Sequence, residues 1–267
     1  MPESNSTAWN SETLVDPHTA EDKPRRVRSM FDAIAPSYDL NNRVHSVGRD
    51  RAWRRAAVAL SGVRPGDTVV DVACGTGDLA LAFSCAGAGR VVGIDFTQGM
   101  LAVALGKPAV KQKVAPDYIC GDATRLPVIE GFADVVSIAF GIRNVADPGR
   151  ALAQMAGVLR PGGRLVILEF SMPTFAPLRW LYMLYFRHIM PRTASWIARD
   201  RSGAYRYLPR SVDTFLGRPQ IVGMMRDAGF ATVTARPVSF GIAVIYVGTK
   251  PETSAPPQQG DTYHAAS

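Results

Sequence analysis

Three acidic residues placed at the ends of apolar runs define the chemistry open to this chain. Val69-Val70-Asp71-Val72-Ala73-Cys74 runs into Gly75-Thr76-Gly77 with Asp78 directly behind it, Asp95 follows Val91-Val92-Gly93-Ile94, and Asp122 follows Tyr118-Ile119-Cys120-Gly121. A strand that enters a glycine turn and then a helix lets the backbone approach a ligand closely, because Gly carries no Cβ. Gly75-Thr76-Gly77-Asp78-Leu79-Ala80 also fits the dinucleotide fingerprint, with Asp95 about 20 residues on to meet a ribose. A dinucleotide, however, seats its pyrophosphate on the helix N-terminus, where Asp78 would repel it. S-adenosylmethionine has no phosphate and carries a sulfonium and an ammonium. Asp71 and Asp78 suit those cations, and Asp95 can accept hydrogen bonds from the ribose hydroxyls.

The elements that must position these residues follow from periodicity. From Arg25 to Leu60 the pattern is helical, with Trp53, Ala56, Ala57 and Leu60 on one face. Strand-like runs then stand at Thr68–Val72, Val91–Ile94, Asp117–Cys120, Asp134–Phe140 and Leu165–Leu168, separated by helix-like segments at Asp78–Ser84, Gly99–Ala104 and Pro148–Leu159. Alternation of this kind predicts an α/β fold with a doubly wound, mostly parallel sheet. Ligands of such sheets sit beyond the carboxyl ends of the strands, where Asp71/Gly75, Asp95, Asp122 and Phe140–Asn144 all fall. Asp95 alone could simply end a strand and Asp122 could form a turn; their joint occurrence marks a shared cofactor site. Leu159-Arg160-Pro161-Gly162-Gly163-Arg164 reads as a turn ahead of the fifth strand.

Residues 25–250 are expected to form one domain, flanked by disordered tails at 1–24 and 251–267 that are polar and aperiodic. The start lacks the apolar core of a secretory signal, and no apolar run reaches the ~20 residues of a membrane span. A cytoplasmic protein is expected. The three cysteines, Cys74, Cys85 and Cys120, are widely spaced in apolar contexts, which argues against a disulfide framework and against a metal site. Cys74 lacks a base to make it a nucleophile. The formal net charge of +7 is open to nucleic acid or an anionic membrane, but no nucleic-acid motif is present.

From Arg26 to Lys250 the chain resembles the class I S-adenosylmethionine-dependent methyltransferases, and within them the C-methyltransferases of menaquinone and ubiquinone biosynthesis. The residues that carry the resemblance are Tyr38-Asp39 with Asn42, Ser46 and Trp53, then Phe140-Gly141-Ile142-Arg143-Asn144-Val145, Pro161-Gly162-Gly163 leading to Glu169-Phe170-Ser171, and Tyr205-Arg206-Tyr207-Leu208-Pro209. The resemblance implies a seven-stranded sheet ending in a reversed hairpin near Thr232–Ala235 and Ile242–Val247, with a helical insertion over about 172–213. It places Thr76 at the methionine end of the donor, Asp95 at the ribose and Asp122-Ala123 at the adenine, with Gly75 and Gly77 in the same cofactor loop. The acceptor would meet Tyr38, His45, Tyr205 and Tyr207. The chain departs from the family pattern at Asn41, His45, Asp50 and Ala139, where Met, an aliphatic residue, His and Ser are usual.

The implied reaction moves a methyl group to a ring carbon of a prenylated quinol, demethylmenaquinol first, with a polyprenyl benzoquinol or another phenol as the alternative. Arg143 and Asn144 would stabilise charge on the acceptor oxygen. Arg stays protonated, so the proton acceptor is either a water held by Arg143 and Asn144 or His45. Phe175–Arg201 mixes aromatic residues with arginines, a texture that suits a cap over the site, a peripheral contact with the inner face of an anionic membrane, or both. A homodimer stays open.

Overall fold

A computed structural model describes residues 7–9, 13–20, 22–108, 113–198 and 202–252. Within them the helical N-terminal region divides into α1 (Lys23–Ile34), a 3-10 turn at Ala35–Ser37, α2 (Tyr38–His45) and α3 (Arg49–Ser61). Pro36 interrupts the pattern because it has no N–H to continue the helical ladder. Gly48, at φ 71, opens α3 in a left-handed conformation.

The alternating region forms β1 (Thr68–Val72), α4 (Asp78–Cys85), β2 (Arg90–Asp95), α5 (Gln98–Leu105), β3 (Asp117–Cys120), β4 (Ala133–Ala139), α6 (Pro148–Val158) and β5 (Leu159–Phe170). The expected turn at 159–164 lies inside β5: Leu159 pairs with Ala133 and Arg164 with Val135, so the intervening residues bulge out of the ladder, with Gly162 at φ 73. Next come α7 (Ala176–Leu184), a π-helical turn at Tyr185–Ile189, α8 (Met190–Ala198), α9 (Ala204–Asp213), α10 (Arg218–Asp227), β6 (Thr232–Val238) and β7 (Ala243–Thr249). The seven strands run β3-β2-β1-β4-β5-β7-β6, with β7 antiparallel to both β5 and β6. The doubly wound sheet and its reversed final hairpin are therefore present.

Alternate residues of each strand feed two cores, because successive side chains point to opposite faces. Val70, Val72, Val136 and Ile167 pack with Leu152, Met155, Ile221 and Met225 beneath α6 and α10, while Val69, Val135 and Val166 pack with Trp53, Ala57, Leu79 and Phe83 beneath α3 and α4. Asp71 shares the parity of Val69 and so lies buried on the α3/α4 face, 1% exposed.

A third core lies off the sheet, where Val27, Met30 and Ile34 of α1 meet Phe186, Met190, Tyr205 and Tyr207. Trp9 belongs to it. The ring of Trp9 stacks on Tyr207 at 4.5 Å, the Trp9 backbone N–H donates to the Ser202 carbonyl at 3.0 Å, and Arg26 donates to the Ala8 carbonyl at 2.8 Å. The expectation of a disordered segment through residue 24 thus fails at Trp9. Burying one large aromatic ring outweighs ordering a short polar stretch around it. Residues 253–267 of the expected C-terminal tail lie outside the described residues.

Candidate active site

The strand-end loops build a narrow cleft. After β1 the chain turns through Ala73, Gly75 and Gly77, all with positive φ (50, 56 and 79). Gly77 is required there by space as well as by torsion, since a Cβ would fall 2.2 Å from the Tyr118 hydroxyl. Asp95, at the end of β2, accepts from the Gly75 N–H and, through its other oxygen, from the Thr97 N–H, each at 2.8 Å. It pins the glycine loop to the next loop, lines the cleft, and keeps lone pairs free for further donors. Burial pushes its carboxyl above the usual range, opposed by those two N–H donors. Asp122 is exposed at the rim and accepts from the Thr124 N–H at 2.8 Å, a turn-forming contact, with Ala123 beside it in the wall. Phe31 and Tyr38, from α1 and α2, close the cleft from above.

Charge is concentrated behind the glycine loop. Thr76 is buried and its hydroxyl donates to Asp39 at 2.6 Å. Lys107 bridges Asp39, at 2.7 Å, and Asp78 at the start of α4. Arg54 lies 3.6 Å from Asp78 and 2.7 Å from Asp50, which also accepts from Ser46. Burial alone would raise the Asp78 carboxyl, but Arg54 and Lys107 hold it below its ordinary value. Three carboxylates, Asp39, Asp50 and Asp78, meet Lys107 and Arg54 directly, and Arg43 adds a further positive charge that acts on Asp78. Asp71 adds a fourth acid: one oxygen accepts from Ser137 at 2.7 Å, the other is buried without a partner, and burial pushes the carboxyl up to about 7. An orphaned buried Asp71 oxygen fits a cationic cofactor, and a pyrophosphate would face Asp78 at the start of α4 with Arg54 and Lys107 already engaged by carboxylates.

Beyond Phe31, Tyr38 and Phe140, which line both spaces, lies a second cavity of ≈ 690 Å³. Its wall is aromatic: Phe140 and Phe170 lie 4.4 Å apart, and Trp53 stands 6.1 and 6.2 Å from them. Arg143 lines it, 5% exposed, with its guanidinium 5.3 Å from the Phe170 ring. The Arg143 Nη1 donates to the Phe140 carbonyl and to Glu169 Oε1, both at 2.7 Å. Asn144, at the cleft, donates to the Phe140 carbonyl and accepts from the Tyr207 hydroxyl at 2.9 Å.

His45 lines the same cavity from α2, its Nδ1 2.8 Å from the Tyr185 hydroxyl and its Nε2 buried without a partner among the described residues. Burial lowers its pKa from that of an ordinary imidazole, which favours the neutral ring. Tyr205 completes this wall with Tyr207.

The structure therefore brings Gly75, Asp95, Asp122, Ala123 and Asn144 to the cleft, and Arg143, His45, Tyr205 and Tyr207 to the cavity, with Tyr38 between. Thr76 and Gly77 stand behind the cleft wall and support the loop. Glu169 and the Asp39–Lys107 pair were not singled out by spacing, although Asp39 and Glu169 sit inside motifs that drew attention on other grounds. Cys74 makes no nucleophile: burial pushes its thiol well up. No cluster of metal-binding side chains occurs among the described residues.

The segment 175–198 divides by face. Tyr182, Tyr185 and Phe186 line the cavity, while Phe175, Trp180, Leu181, Leu184, Ile189 and Trp196 point to solvent.

Residues 19–250 match the ubiE/COQ5 methyltransferase family. A demethylmenaquinone methyltransferase from Bacillus cereus (strain AH187) is 37% identical over 235 residues, which cover 87% of this chain and 99% of that protein. Among solved structures, a Haloferax volcanii methyltransferase in complex with the Trm112 methyltransferase activator superposes with a TM-score of 0.61 at 22% identity, over 86% of this chain and 99% of its own. An S-adenosylmethionine-dependent methyltransferase from Thermotoga maritima gives 0.60 at 19%, over 84% and 99%.

Proposed function

The chain belongs to the ubiE/COQ5 methyltransferase family, and from that premise we propose that the crevice transfers a methyl group from S-adenosylmethionine to a ring carbon of a prenylated quinol, demethylmenaquinol foremost. The observation that carries this reading is the shared boundary of Phe31, Tyr38 and Phe140: a cleft lined by strand-end acids opens directly onto an aromatic cavity. The donor would supply an electrophilic methyl group on a positively charged sulfur, the electron pair of the broken S–CH3 bond staying with the neutral thioether that leaves, and the ring C–H proton at the methylated carbon would be lost to solvent to restore the quinol.

Asp95, Asp122, Ala123 and Gly75 hold the nucleoside end, and Asp71 with the Asp39–Asp78 network balances the positive charge. Thr76 and Gly77 keep the loop in shape. In the cavity the aromatic wall fixes the plane of the acceptor ring, and holding two reactants in line can contribute ~7–11 kcal/mol. Arg143, with Asn144 beside it, stabilises the phenolate oxygen whose charge makes the neighbouring carbon nucleophilic. His45 takes the phenolic proton at its free Nε2, directly or through water. Tyr205 and Tyr207 close the cavity, and Tyr207 also fixes Asn144.

The exposed tryptophans and a groove holding Arg187, Arg192, Arg206 and Arg210 support peripheral contact with an anionic membrane that stores the acceptor. Arg199, Asp200 and Arg201 of the same basic stretch lie outside the described residues. No helix among the described residues is long and apolar enough to cross a membrane.

Incubation with methyl-labelled donor and either demethylmenaquinol or the corresponding demethylated benzoquinol tests the assignment. Label in menaquinol is expected. Label only in the benzoquinol moves the acceptor to the second class, and label in neither removes the quinol reading.

A further inference from the structure

Two loops at the mouth of the acceptor cavity each hold an apolar side chain in a backbone conformation that it disfavours. Val47, just after α2, has φ 52 and is 87% exposed; Phe240, between β6 and β7, has φ 58 and is 84% exposed. Both line the cavity. A left-handed residue after a helix is ordinarily Gly or Asn, and a β-branched side chain is strained there. Neither side chain recovers that cost through burial.

The loops are nonetheless held firmly. Ser239 accepts from the Trp53 indole N–H at 2.8 Å, Arg218 donates to the Gly241 carbonyl at 3.2 Å, and the Gly48 N–H donates to the Arg43 carbonyl at 2.8 Å. Strain that the surroundings enforce beside a cavity marks a place where a ligand is held, and exposed apolar side chains await a partner.

We propose that Val47 and Phe240 are the lips of a channel through which the apolar tail of the acceptor leaves the cavity. This rests on the reading of the acceptor as a tailed quinol. The buried Arg143 meets the phenolic head inside, while the rim presents the exposed Val47 and Phe240 side chains, with the exposed Arg49 near Val47 at the water boundary. A cavity of ≈ 690 Å³ accommodates the ring system and the start of the tail, and the rest of a long chain has to pass the mouth.

The test compares a long-tailed demethylmenaquinol with tail-free 1,4-naphthalenediol as acceptors, in the same detergent micelles, for the wild type, the double variant Val47→Ser/Phe240→Ser, and Phe240→Leu. The ratio of kcat/KM for the tailed over the tail-free acceptor is expected to fall at least tenfold in the double serine variant. Phe240→Leu, which keeps an apolar lip, is expected to retain the wild-type ratio. An unchanged ratio in the serine variant overturns the channel, as does an equal loss on both acceptors, which would make the two residues ring contacts or fold supports. Wild-type enzyme that methylates neither acceptor overturns the quinol reading and the channel with it; methylation of both with an unmoved ratio overturns the channel alone.

Discussion

Arg143 and Glu169 form a buried ion pair at 2.7 Å, with the arginine 5% and the glutamate 1% exposed. Burial pushes the Glu169 carboxyl up and the guanidinium opposes that shift, so each charge depends on the other. Breaking such a pair from one side costs ~3–5 kcal/mol, because a buried charge is stranded. Glu169→Gln should therefore lower the thermal midpoint strongly, while the double variant Arg143→Met/Glu169→Met should recover most of that loss and remain inactive. Thermal unfolding of the three proteins separates the outcomes; a double variant as unstable as the single one would show that packing, not charge, holds this corner.

Arg143→Ala should reduce turnover by ~10²–10³, the loss seen when one donor to a developing oxyanion is removed. Donor affinity should change little, because Arg143 lines the acceptor cavity and not the cleft. Parallel losses in donor affinity and rate would move Arg143 out of the acceptor role.

Asp95→Asn keeps the outline of the side chain but removes its charge and leaves one oxygen to accept from either Gly75 or Thr97 instead of two. Hydrogen bonds to a charged acceptor are worth ~1.5–3 kcal/mol, so donor affinity should fall more than tenfold in calorimetric titration. An affinity within twofold of wild type would confine Asp95 to holding the two loops together.

Asp71 gives a pH prediction. Its carboxyl, raised from 3.8 to about 7, makes the folded protein bind a proton that the unfolded chain releases. This group therefore reduces stability as pH rises from about 4 to about 7. A cationic donor bound nearby favours the carboxylate, so donor binding at pH 6.5 should release a proton and strengthen toward pH 8. Titrations in buffers of different ionisation enthalpy measure that proton, and Asp71→Asn should abolish the release.

His45 predicts a second pH effect. As the proton acceptor it must be neutral, and burial lowers its pKa, so the acid limb of kcat should lie to the acid side of an ordinary imidazole's. His45→Gln should remove that acid limb together with most of the rate. A limb that survives the substitution assigns the proton to the water between Arg143 and Asn144.

Membrane contact should be peripheral and sensitive to salt. Co-sedimentation is expected with anionic vesicles and not with neutral ones, weakening as salt shortens the ~8 Å screening length, with Trp180 and Trp196 adding a part that salt leaves in place. A protein that stays in the supernatant with anionic vesicles at low salt has no such surface.

Sequence alone determined the sheet and the strand-end loops that line its cleft. Thr68–Val72, the glycine turn, Asp95 and Asp122 announce themselves because strand periodicity, turn torsions and strand-end acids are local properties, written within a few neighbouring residues. The aromatic cap was legible too, though not which of its faces turns inward.

Only the tertiary structure decided which charges meet. Arg143 finds Glu169 26 residues away, Thr76 finds Asp39 at a separation of 37, and Trp9 crosses nearly the whole domain to stack on Tyr207. The outward stance of Phe240 likewise follows from a loop fixed at a point remote in sequence, Trp53 on Ser239. Periodicity records which face of an element is buried; it carries no record of the distant side chain that will share that burial, and at the candidate site it is this sharing that sets charge, proton affinity and shape.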